Sequence, residues 1–176
     1  MKEFANILKF LGLHQFVALD VETTGLDPDQ EDIIEFGAVR FIDGNPVEKL
    51  ELLVKPTKPV PLHISKLTGI TDRMLKKAPV FNKIGEEILA FLRDDPIIAH
   101  NIRFDISFLK SHFVNHVSGD ASSPVAYDFS GYDLYDTVLL AKIYLPFQTA
   151  FSLGKLAEYF QIHPKKYHRA SYDAET

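Results

Sequence analysis

No cysteine occurs among the 176 residues. That excludes disulfides and thiolate metal sites and fits a reducing, intracellular setting. No apolar run reaches the roughly 20 residues that a membrane-spanning helix needs. The stretch Met1–Gly12 is amphipathic, carries both signs of charge, and lacks a signal-peptide core and cleavage site. A cytoplasmic protein with no membrane partner is the expectation. Positive charge is also short: 19 Lys and Arg stand against 24 Asp and Glu, for a net charge of −5. A broad basic groove for duplex nucleic acid is thereby disfavoured, because such binding rests on neutralised phosphates. A small cation-filled pocket for the end of one strand is not, since bound ions reverse the local sign. No linker and no internal repeat is visible, so residues 1–176 read as one domain with room for a substantial core.

What is present centres on Phe16-Val-Ala-Leu-Asp-Val-Glu-Thr-Thr-Gly25. The apolar, β-prone first half predicts a central strand over Phe16–Val21. Side chains two apart on a strand share a face, so Asp20 and Glu22 stand side by side. Paired carboxylates repel, and one is driven neutral unless a cation lies between them. Hard ions such as Mg²⁺ and Mn²⁺ take such oxygen ligands. A solvated strand end also carries Asp-x-Glu, so the pair by itself decides nothing.

Further along, Asn6–Leu13 reads as a short helix, Ile33–Ile42 and Val47–Val54 as strands joined at Asp43-Gly-Asn-Pro46, and Pro56, Pro59 and Pro61 as breakers. Asp72–Leu75 fits a helical turn. Phe81, Ile84, Ile88 and Leu92 fall at helical spacing and predict a helix over Val80–Arg93. Pro96–Ala99 is a short buried strand. Ile102, Ile106, Leu109 and Phe113 then mark a helix whose apolar stripe has Asp105 beside it. A carboxylate there is costly unless paired, metal-associated or able to reach water at the stripe's edge. Ser118–Ser130 reads as a surface loop, Tyr132–Tyr135 as a last strand, and Asp136 as the cap of a helix over Thr137–Tyr144. Ser152 is the expected cap of another, with Leu153, Leu156, Ala157 and Phe160 facing inward; Pro164 closes that segment. His168 to Thr176 reads as the start of a final helix, with His168 on the lead-in; His112, His116 and His163 read as surface histidines. Three meandering strands followed by alternating α and β units predict an α/β fold with a central mixed five-stranded sheet flanked by helices. Sites in such sheets gather at the ends of central strands, where Asp20 and Glu22 lie.

Three segments, Asp20-Val-Glu-Thr-Thr-Gly25, His100-Asn-Ile-Arg-Phe-Asp105 and His168-Arg-Ala-Ser-Tyr-Asp-Ala174, follow in order. Together they resemble the DnaQ-like 3′–5′ exonucleases of the DEDDh class, which have an RNase H-like fold. Ile33-Ile-Glu-Phe-Gly-Ala-Val39, Leu67-Thr-Gly-Ile-Thr-Asp72, Tyr135-Asp-Thr-Val-Leu-Leu-Ala141 and Phe151-Ser-Leu-Gly-Lys-Leu156 support the likeness. The resemblance implies that Asp20, Glu22, Asp105 and Asp173 hold two divalent ions, Mg²⁺ or Mn²⁺, and that His168 is the general base. It implies that Thr23, Gly25 and Leu26 receive the terminal nucleotide, with Leu26, Ile70 and Phe104 against its base; Phe104 can equally be core. The expected partner is the 3′ end of single-stranded nucleic acid, DNA ahead of RNA, in replication proofreading or repair. RNA trimming and a metal-binding accessory domain are the alternatives. Domains of this class also occur fused to polymerases or helicases. The end at Thr176, soon after Asp173, fits a domain cut or incomplete at its last helix.

Overall fold

The computed structural model describes residues 12–114, 129–163 and 168–176. Most of the helix expected over Asn6–Leu13, most of the loop expected over Ser118–Ser130, His116 and Pro164 lie outside them. A five-stranded sheet forms the centre. It consists of β1 (Gln15–Thr23), β2 (Ile33–Ile42), β3 (Asn45–Leu53), β4 (Ile97–Ala99) and β5 (Leu134–Asp136), in the order β3-β2-β1-β4-β5. The first three form an antiparallel meander, and β4 and β5 join in parallel, so the sheet is mixed, as expected. β1 runs through Thr23, past the expected end at Val21, so Glu22 lies within the strand as Asp20 does.

Helices follow as α1 (Leu62–Thr68), α2 (Asp72–Leu75), α3 (Gly85–Leu92), α4 (Ile102–His112), α5 (Thr137–Tyr144), α6 (Leu153–Tyr159) and α7 (Ala170–Glu175). Alternation along β1 sorts the two faces. Val17, Leu19 and Val21 pack with Ile88, Leu92, Ile102, Ile106, Leu109, Phe113 and Phe129, so α3 and α4 cover one side. Ala18, Val39 and Ala174 form a cluster on the other, under α7. Asp20 and Glu22 share the parity of Ala18 and therefore face α7.

Several local expectations need correction. α1 starts directly after Pro61, where the prolines had suggested only irregular chain; a proline's fixed φ suits a helix entry, and Gly69 at φ 73° ends it. The helix expected over Val80–Arg93 is a 3₁₀ turn, Phe81–Lys83, followed by α3. Phe160 lies beyond α6 and is 57% exposed rather than inward-facing. Ser152 precedes α6 but makes no side-chain cap bond. Asp136 does cap α5, accepting from the Val138 and Leu139 N–H groups. His112 is not a surface residue. It is buried on α4, where its Nε2 accepts the Ile33 N–H at 3.1 Å and its Nδ1 lies 3.0 Å from the Phe108 carbonyl. The backbone of β2 supplies that N–H only across the fold, so nothing local in the sequence announces it.

Candidate active site

Each acid is placed by a different constraint. Asp20 and Glu22 are cross-strand neighbours of Gly37 and Glu35 on β2. On its other side β1 is paired by β4 only at Val17 and Ala18. Beyond that point the edge of β1 is open, and its N–H groups need partners. The chain turns from β4 into α4 through Asn101, at φ 68°. That turn delivers Asp105, in the first turn of α4, to the open edge. Asp105 Oδ1 accepts the Val21 N–H at 3.0 Å, and the side chain is buried. The carboxylate beside the apolar stripe is thus buried and, among the described residues, not ion-paired; it takes a strand hydrogen bond next to Asp20 and Glu22.

Asp173 comes from the opposite side, on α7. Its Oδ2 accepts the His168 N–H at 3.0 Å, which folds the lead-in back over the helix start. His168 has φ 56° and lies before α7, as its spacing from Asp173 predicts. Glu22, His168 and Asp173 each present a donor atom within 4.8 Å of the others. α7 can sit this close because β2 has a glycine beneath it. A Cβ on Gly37 would lie 2.1 Å from the Ser171 nitrogen and 2.3 Å from the Ala170 carbonyl carbon.

The electrostatics follow from this crowding. Burial, then Asp105, Glu22 and Asp173, push the Asp20 carboxyl well above its ordinary range. Burial, then Asp173 and Glu35, push Glu22 up to about 8, with Arg169 opposing. Burial pushes Asp105 up to about 8 despite the Val21 hydrogen bond. Asp173 is raised by burial against the opposing His168 N–H. Its Oδ1 is buried and has no hydrogen-bond partner among the described residues. Raised carboxyls and an orphaned buried oxygen fit a site completed by hard cations.

The sequence matches the Exonuclease family over residues 17–176. The chain belongs to the DnaQ-like 3′–5′ exonuclease family. It is 37% identical over 161 residues to DNA polymerase III PolC-type of Halalkalibacterium halodurans, covering 92% of this chain and 11% of that one. It is 34% identical over 162 residues to 3′-5′ exonuclease DinG of Bacillus subtilis, covering 92% of this chain and 16% of that one. The chain thus spans a small part of the curated relatives it matches. Among solved structures, E. coli exonuclease I in complex with a dA16 oligonucleotide superposes with TM-score 0.72 at 21% identity, covering 91% of this chain and 38% of that one. Exonuclease X in complex with 5′-overhanging duplex DNA gives TM-score 0.65 at 24% identity, covering 92% of this chain and 84% of that one. The exonuclease domain therefore has the RNase H-like fold that its motifs imply.

The expected nucleotide-contacting residues are spread more widely. Thr23 is buried and its Oγ1 donates to the Gly25 carbonyl at 2.5 Å. Gly25 sits against the Glu31 side chain, and Leu26 is 85% exposed. Phe104 is half-buried, packed on the main core and against Phe108. Ile70 is fully buried with Ile34, Val60 and Leu75, so it offers no free surface to a base in this conformation.

Sequence reasoning missed two residues beside the acids. Glu35 is fully buried and holds Arg169 through both of its oxygens. The available signal was a charged residue inside the apolar strand Ile33-Ile-Glu-Phe-Gly-Ala-Val39, with an arginine next to His168.

Proposed function

We propose that this exonuclease domain removes nucleotides one at a time from the 3′ end of single-stranded or frayed DNA, releasing nucleoside 5′-monophosphates. The observation that carries the reading is the meeting of four carboxylates from three elements, β1, α4 and α7, beside an exposed histidine. Asp20, Glu22, Asp105 and Asp173 would hold two divalent ions, Mg²⁺ or Mn²⁺. When bound, such ions lower the pKa of the attacking water and stabilise the leaving 3′ oxygen. The chain's own contribution is positional. Asp105 is fixed by the Val21 N–H, and Asp173 is fixed by the His168 N–H. His168 lies open to solvent at the rim, where an imidazole can take the proton of the attacking water. Thr23, Gly25 and Leu26 would receive the terminal nucleotide, with Phe104 at the edge of the pocket.

DNA is the favoured substrate because the domain's relatives include a DNA polymerase, and exonucleases I and X share its fold in complexes with DNA. The physiological setting we infer is replication proofreading or repair in the cytoplasm, within reach of a polymerase or helicase module. No helix among the described residues is long and apolar enough to cross a membrane. The test is digestion of matched DNA and RNA oligonucleotides, single-stranded, blunt, and with a mismatched 3′ end. A pocket for one splayed nucleotide must first fray a terminal pair, at roughly 1.4 kcal/mol of stacking per step. Single strands and mismatched ends should therefore be shortened faster than blunt ones. Equal rates would remove the proofreading role, and faster loss of RNA would assign the domain to RNA trimming.

A further inference from the structure

Glu35 is the direct cross-strand neighbour of Glu22. Two like charges opposed on one face of a sheet destabilise it. Here the second one is taken up. Arg169 Nε lies 2.9 and 3.0 Å from the two Glu35 oxygens, and its Nη2 lies 2.5 Å from Oε1. The Ala170 N–H, at the start of α7, donates to Glu35 Oε2 at 2.9 Å. The same Nη2 reaches Glu51 on β3 at 2.9 Å, and Ser171 Oγ donates to the other Glu51 oxygen at 2.5 Å. Three successive residues, Arg169, Ala170 and Ser171, are thus tied to two strands by carboxylates. They separate His168 from Tyr172 and Asp173.

We propose that Glu35, Arg169 and Glu51 are positioning residues that lock the first turn of α7 onto β2 and β3, and so set His168 and Asp173 against Glu22. The inference rests on the exonuclease reading of that site. Three geometric features support it. The fork of Arg169 fixes direction as well as distance, which a single-point cation does not. The clearance over Gly37 leaves α7 no room to settle lower, so the carboxylates define its height and register together. And Arg169 takes up the charge of Glu35 while leaving the Glu22 carboxylate facing His168 and Asp173. Without the arginine, a buried unpaired Glu35 would add to the repulsion within the acid cluster.

The experiment uses the whole chain and two readouts that need no turnover. Hydrogen exchange of residues 168–175 in metal-free protein reads the docking of α7. Mn²⁺ binding, followed by the paramagnetic resonance of the free ion, reads the placement of the acids. Arg169→Ala should speed exchange in that segment alone and weaken Mn²⁺ binding roughly 10–100-fold, the usual loss when a ligand's supporting partner is removed. Arg169→Lys should recover part of the affinity, since it restores the charge without the fork. Glu51→Gln, which leaves the buried Glu35 pair intact, should give a smaller change of the same sign. If Arg169→Ala fails to fold by circular dichroism, Glu51→Gln and Ser171→Ala decide instead: unchanged Mn²⁺ binding in both overturns the proposal. Faster exchange with wild-type Mn²⁺ affinity in Arg169→Ala also overturns it, leaving a purely structural clamp. Wild-type protein that binds no Mn²⁺ and leaves a free 3′ end intact would contradict the exonuclease reading itself, whatever the variants do.

Discussion

Asp105 Oδ1 accepts the backbone N–H of Val21, the residue between Asp20 and Glu22. One hydrogen bond thus joins an acid from α4 to the strand that carries two of the other three. Val21 needs that acceptor because β4 pairs β1 only as far as Ala18. The site therefore begins where the sheet runs out of partner strand.

Asp105→Asn separates the two roles of this residue. The amide oxygen can still accept from Val21, so the fold should persist. Turnover should fall roughly 10²–10³-fold, the scale of losing one charge-stabilising group from a preorganised site. In chelator at pH 9, above the value of about 8 at which Asp105 loses its proton, the variant should melt higher than wild type. Each 1 kcal/mol of relieved repulsion is worth about 2–4 °C for a chain of this size. At pH 6 the wild-type carboxyl is protonated and the advantage should vanish. A large drop in melting temperature at both pH values would make Asp105 structural.

Gly37→Ala should disturb the site without touching an acid. The added methyl would occupy the space of the Ser171 nitrogen and the Ala170 carbonyl carbon. Neither is the tip of a flexible side chain, so α7 must lift. We expect weaker Mn²⁺ binding, loss of most turnover, and little change in the exchange of β1 and β4. Wild-type Mn²⁺ affinity in this variant would show that α7 need not lie so close.

The stability of metal-free protein should fall as pH rises. Glu22 goes from an ordinary 4.5 to about 8 on folding, and Asp105 from 3.8 to about 8. Between those limits the folded state binds more protons than the unfolded one. Stability then decreases with pH. The contribution is fully present below the unfolded values and is lost as pH passes through about 8. Thermal melts in chelator from pH 5 to 9 check this. Added Mn²⁺ should raise the melting temperature more at pH 8 than at pH 5, because ions and protons compete for the same oxygens. A metal-free melting temperature that is flat or rising over this range contradicts the raised carboxyls.

His168→Ala should cost roughly 10²–10⁴-fold in rate, the usual contribution of a general base. Mn²⁺ affinity should stay near wild type. The ring's reach to Glu22 and Asp173 makes the ligand alternative concrete. If the variant needs far more Mn²⁺ yet recovers full rate at saturation, His168 is a ligand and the base must be sought elsewhere.

Much of this was legible in the sequence. Strand alternation put Asp20 and Glu22 on one face, helical spacing put Asp105 beside the stripe of α4, and the five-position spacing from His168 to Asp173 kept the histidine off the final helix. What stayed hidden depends on contacts distant in sequence. The Val21 N–H that holds Asp105 is open only because β4 is short. Glu35 and Arg169 are 134 positions apart. The burial of His112 is compensated by a β2 amide, and Ile70 is covered by Ile34 of β2 together with Val60 and Leu75. Periodicity reads a residue's face, not the partner that will meet it there.

The most direct measurement follows a 5′-labelled single-stranded DNA oligonucleotide, with its 3′ hydroxyl free or blocked, in Mn²⁺ and in excess chelator. The free strand with Mn²⁺ should shorten stepwise from its 3′ end, releasing nucleoside 5′-monophosphates, while the blocked strand and the chelated reaction stay intact. Cleavage that persists in chelator, or that proceeds equally on the blocked strand, would contradict a metal-dependent 3′–5′ exonuclease built on Asp20, Glu22, Asp105 and Asp173.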